Sequence, residues 1–78
     1  MMNAVYSEIV DFIASGPSRR AVADFQASEV LKARVAELIR REKTDGLLRP
    51  EKDELDHYLQ LEHIMRLAKA RARELEKP

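Results

Sequence analysis

The chain has 78 residues, with 14 Lys+Arg balanced by 14 Asp+Glu, no Cys, no Trp, two Gly and three Pro. One small domain is all this length accommodates, and burying only about 60% of the unfolded surface leaves stability marginal unless packing is idealised or the chain associates. The absence of cysteine excludes a disulfide framework, a thiolate nucleophile and a Cys-based zinc site, and Ala, Glu, Lys, Leu and Arg supply over half of the residues, a composition of long helices rather than of sheets.

Two breaks, Ser15-Gly16-Pro17-Ser18 and Thr44-Asp45-Gly46, punctuate the chain, and Pro50 reads as a first-turn proline that starts a new helix. They define four helical stretches, at about 4–15, 17–26, 29–43 and 50–76, in a single domain 1–78. In the first, Val5, Ile9, Val10, Phe12 and Ile13 recur at roughly helical spacing, although β-branched residues there also suit a strand. The second is short, with Ala21, Val22 and Phe25 on one side. Ser28 is an N-cap for the third, in which Leu31, Val35, Leu38 and Ile39 share an arc of about 100° that faces a core. Gly46 ends that helix in the left-handed conformation, and Arg40, Arg41 and Lys43 suit the negative end of its dipole.

The fourth stretch carries a heptad-like seam of Tyr58, Leu61, Met65, Ala68, Ala72 and Leu75, widened by Ile64 and flanked by Leu55 and Leu59. At about 1.5 Å per residue it outreaches the third helix by far. Its far end, Ala68, Ala72 and Leu75, therefore needs the N-terminal helices, a second copy or another protein as cover. The expected fold is all-α, a small helical bundle in which short N-terminal helices pack on an antiparallel hairpin with a long C-terminal helix. Charge along that helix divides: Glu51 to Glu62 carry a net −4 and His63 to Lys77 a net +3. Arg66, Lys69, Arg73 and Lys77 form one stripe by helical angle, which reads as a solvated face, as a rim for an acidic partner or, more weakly, as a contact for nucleic-acid phosphates in a DNA-binding regulator.

Phosphate-loop, dinucleotide-binding and zinc-protease motifs are absent, as is a run of about 18 apolar residues, and the N-terminal residues lack a signal-peptide pattern. A cytoplasmic, non-enzymatic protein without cofactor is expected. One constellation points elsewhere. Glu54 and His57 stand in E-x-x-H spacing on the side of Tyr58, and Glu42 ends the preceding apolar arc. Doubled by a two-fold axis, Glu42, Glu54 and His57 would form the ligand set of a homodimeric di-iron bundle. The competing structural reading gives Glu42 to a basic neighbour, Glu54 to the positive end of its helix dipole and His57 to a hydrogen bond; His63 points away.

The order of Asp11-Phe12-Ile13-Ala14-Ser15-Gly16-Pro17, a short helix, Ser28-Glu29, Arg41-Glu42-Lys43 with Gly46, and the run Leu55 to Arg73 (LDHYLQLEHIMRLAKARAR) resembles a group of short bacterial all-helical proteins. Several of these look like the small antitoxin-like partner encoded beside an HNH-type nuclease. The likeness covers most of the chain and implies a non-enzymatic protein-interaction module that binds a cognate, nuclease-like protein or itself as a homodimer. In that group the last helix opens with Thr-Pro-Glu-Glu, a capping box, where this chain has Arg49-Pro50-Glu51-Lys52. Losing the box is expected to weaken that helix start by about 1 kcal/mol. On the helix-in-groove reading, Met65, Ala68, Ala72 and Leu75 are the partner-binding anchors and Arg66, Lys69 and Arg73 the rim.

Overall fold

The computed structural model describes residues 4–76. They form four helices, α1 (Ser7–Ala14), α2 (Arg19–Asp24), α3 (Glu29–Thr44) and α4 (Arg49–Glu76), and among the described residues there is no strand. The protein is all-α, and among the described residues no helix is long and apolar enough to cross a membrane.

Local chemistry sets each boundary. Ahead of α1, residues 4–6 form a turn closed by Ser7, whose N–H and hydroxyl donate to the Ala4 carbonyl at 3.0 and 2.8 Å. The helix therefore begins later than the apolar spacing predicts. Val5 is held by tertiary contacts instead, its side chain buried and its N–H donated to Glu54 Oε2 at 2.8 Å. Gly16 leaves α1 at φ +68°, and Ser18 caps α2 by accepting the Ala21 N–H at 3.1 Å. Ser28 caps α3 as predicted, taking the Leu31 N–H at 3.1 Å, and is itself gripped by Glu8, which accepts its N–H at 2.8 Å and its hydroxyl at 2.6 Å. At the end of α3, Gly46 takes φ +82° and donates its N–H to the Arg41 carbonyl at 2.8 Å.

The start of α4 differs from the expectation of a lost cap. Leu48 is the N-cap residue, its carbonyl accepting the Lys52 N–H at 2.9 Å, and Glu51 reaches back to accept the Leu48 N–H at 3.2 Å. Half of a capping box thus survives one position earlier than the sequence comparison placed it; the half that needs a side-chain oxygen at Leu48 is missing.

Packing is organised along α4 in two zones. Its N-terminal half joins Leu55 to Val5, Leu31, Val35 and Leu38, with Ala27, Ile39, Leu47 and Tyr58 around them. Arg41 locks this zone from its edge, donating to both Glu51 oxygens at 2.7 and 2.9 Å, while Arg34 stands 3.7 Å from Glu54. The C-terminal half buries Met65 and Ala72, and α2 buries Ala23. Cα atoms of α2 and α4 lie within 8 Å of each other along their contact, an approach that small residues permit. Ile9 is buried, and Phe12 of α1 packs on Phe25 with ring centroids 4.5 Å apart. The result is long and thin, 50 × 26 × 19 Å, with a radius of gyration of 14.1 Å. A compact chain of this length would have roughly 11.5 Å.

Leu38 is fully buried, at 0% exposure. Leu38→Ala is expected to cost about 3 kcal/mol in denaturant unfolding, a large part of the stability available to so small a chain. Acid should act through Glu51. The Arg41 guanidinium above all, then the Leu48 N–H and the charges of Arg41 and Arg34, hold its carboxyl below the usual glutamate range. A depressed folded value means that the stabilisation is complete above the ordinary value of about 4.3 and is lost as pH falls through the folded value. Thermal unfolding followed from neutral to acid pH should show that loss, reduced in Glu51→Gln.

Candidate functional site

Two cations of the basic stripe of α4 reach back to the end of α2. Lys69 donates its ammonium to the Phe25 carbonyl at 2.7 Å and Arg73 donates to the Ala23 carbonyl at 3.4 Å, so two of its cations sit at the C-terminal end of α2. There they satisfy carbonyls that a six-residue helix leaves without partners and oppose its negative dipole end. At the other end of α2, Arg19 donates to the Leu75 carbonyl at 3.4 Å and lies 3.5 Å from Glu76. Together these contacts fix α2 antiparallel to α4. Arg66 is paired with Glu62, whose buried Oε2 lies 2.6 Å from Arg66 Nε but off the N–H axis, an attraction of charges without an aligned hydrogen bond. Burial, then the Glu62 charge, pushes the neighbouring Tyr58 hydroxyl above its ordinary value, against a smaller opposite pull from Arg66. Lys77 lies outside the described residues.

The residues expected as partner anchors divide the same way. Met65 and Ala72 are 5% exposed, covered by the chain itself, and Ala68 is half-buried beside them. They are core of this chain, because α2 supplies the cover that the overhang of α4 requires. Leu75 remains 46% exposed and Arg66 projects to solvent.

Glu42, Glu54 and His57 do not converge. Glu42 is exposed, Glu54 spends its oxygens on the Val5 N–H and the Arg34 charge, and exposed His57 meets the edge of Tyr6 with centroids 5.4 Å apart. Among the described residues no three His, Asp or Glu side chains are grouped to hold a metal ion. His63 is exposed, as its helical angle predicts.

Exposed apolar side chains occur at Ile13, Val30, Leu48 and Leu59 and also on the outward face of α4. Ile64 is 53% and Leu67 60% exposed, three residues apart on the side of α4 turned away from the buried Met65–Ala72 seam, and Leu75 and the half-buried Leu61 lie at the edge of that seam beside Ala68. Ile64 was read from sequence only as widening the seam, and Leu67 carried no signal of its own. The spacing of Leu61, Ile64, Leu67 and Leu75 was present, but periodicity alone does not say which of two apolar flanks a short neighbouring helix will cover. Isolated exposed apolar residues are ordinary, whereas an aligned set is a docking feature. Comparison of the chain with protein-family models, with curated proteins and with solved structures gives no match.

If Lys69 is a structural cap, Lys69→Met, which keeps most of the apolar stem, should lower stability by about 1–2 kcal/mol through loss of a charge-assisted hydrogen bond. Lys32→Met, at an exposed surface pair, should change it by less than about 0.5 kcal/mol. Urea unfolding of the two variants beside the wild type measures the difference.

Proposed function

We propose that this chain is a non-catalytic, antitoxin-like protein-interaction module that works by laying the outward face of α4 against another protein. The observation that carries the reading is the exposure of Ile64 and Leu67, with Leu75 at the edge of the same face, on a 28-residue helix whose opposite face is already occupied. An amphipathic helix presenting apolar residues three and four positions apart is the form that groove recognition uses. The anchors are thus Ile64, Leu67 and Leu75 with Leu61 beside them. Arg66 lines the groove beside Met65 and Lys69 next to Phe25, so it belongs with Lys69 and Arg73 to the scaffold side. Polar contacts serve the same end, since the Arg41–Glu51 ion pair and the hydrogen bond from Lys69 to the Phe25 carbonyl tie α4 to its neighbours. The resemblance to antitoxin-like proteins adds a nuclease-like protein to the candidate partners.

Ile64→Asp combined with Leu67→Asp tests the reading. The tagged double variant should lose a stoichiometric partner that the wild type retains, while its far-UV circular dichroism stays helical. Met65→Asp, one residue away, should instead unfold the chain. Retention of the partner by the folded double variant would remove the outward face as the docking surface.

A further inference from the structure

The occupant of this face can be read from the order of charges along it. The inference rests on the reading of the α4 exterior as a docking surface and adds the identity of what docks. Along that exterior, Asp53 and Asp56 lie on one side of the apolar Ile64–Leu67 centre and Arg71 on the other; beyond them come Arg49 and Lys52 at one end and Glu74 at the other. All of these side chains are exposed. From the centre outward the signs run negative then positive toward the N-terminus, and positive then negative toward the C-terminus. That order is self-complementary when one copy is reversed on another.

We propose that the outward face of α4 pairs with the same face of a second copy, antiparallel, about a two-fold axis at the middle of the helix. The middle of Arg49–Glu76 falls between Glu62 and His63, so an axis there overlaps the two helices along their whole length. In the same register Arg71 falls between Asp53 and Asp56 of the second copy, Glu74 falls between Arg49 and Lys52, and Ile64 lies opposite Leu61. Full overlap and charge matching thus select one alignment. A parallel pair would set Asp53 against Asp53 and Arg71 against Arg71. Within one chain these groups make only exposed local pairs, Arg49 with Asp53 at 3.4 Å and Arg71 with Glu74 at 2.9 Å, which leaves them able to bond across the interface as well.

Sedimentation equilibrium over the micromolar range tests the pairing. The wild type should form a reversible dimer. Arg71→Glu, which replaces attraction by repulsion at two symmetry-related places, should weaken it about tenfold, and adding Asp53→Lys and Asp56→Lys to that variant should restore most of the loss. Restoration within one chain is excluded by distance, because Asp56 and Arg71 are about 22 Å apart along a single helix. Circular dichroism establishes that each variant is folded. A wild type that stays monomeric overturns the second copy as occupant, while the Ile64→Asp, Leu67→Asp comparison still decides separately whether the face docks a different protein. A dimer indifferent to Arg71→Glu, or one weakened without restoration in the triple variant, overturns the antiparallel register.

Discussion

The 28-residue α4 meets the 16-residue α3 chiefly through its first turns, at Glu51, Glu54, Leu55 and Tyr58, and this mismatch between α4 and α3 governs the rest of the chain. By a rise of about 1.5 Å per residue the two differ by about 18 Å. An apolar overhang of that length is unfavourable in water. The fold covers it with α2, a helix too short to be stable by itself, which is made permanent by what it touches. Ser18 caps its start, Lys69 and Arg73 hold carbonyls at its end, and Ala23 lies buried at the contact where Met65 and Ala72 are also buried. The hairpin zone and the α2 zone are then joined by α1, whose Ile9 is buried, whose Phe12 meets Phe25 and whose Glu8 grips the α3 cap at Ser28.

The hairpin was legible in the sequence because its determinants are local. Ser28, Gly46 and the Leu31, Val35, Leu38 arc are each short-range signals, and all three hold in the structure. Glu8 and Glu54 were not legible as clamps, because each carboxylate acts on a backbone N–H at a separation of 20 or 49 residues, for which no spacing rule exists. The cap of α4 was placed one residue late for a related reason. Arg49 looked like the replaced cap residue, whereas the chain uses the carbonyl of Leu48 and lets Glu51 supply the only side-chain bond.

Charge was the more misleading signal. Helical angle put Arg66, Lys69 and Arg73 in one stripe, and a stripe of cations suggests a ligand outside the protein. Their partners are inside it. A long side chain can lay its stem along an apolar surface and bring its charge to a carbonyl of another helix, so an inward flank and an outward one look alike on a helical projection. The acidic members of the E-x-x-H set behave similarly: Glu54 faces the core region that its angle predicts, but what it meets there is the Val5 N–H and Arg34. Angular position was correct for Glu54, whereas Glu42 and His57 are exposed despite their apolar-side angles, and chemical assignment failed because the groups that Glu54, Lys69 and Arg73 meet come from other parts of the chain.

Ile64 and Met65 are adjacent in sequence and divide the labour of α4 between them. Met65 is 5% exposed and Ile64 53%; one stabilises the chain and the other does not need to be apolar for the fold to form. Gln60 and Arg71 share the outward face and are polar, so the scaffold tolerates polar residues there. Apolar side chains at Ile64, Leu67 and Leu75 are consequently not explained by packing within one chain. Removing them from water requires another surface, and the stability gained on docking adds directly to a domain whose own core is small. On the proposed docking of this face, folding and assembly are coupled: the contact that engages a partner also completes the burial that the length of α4 began.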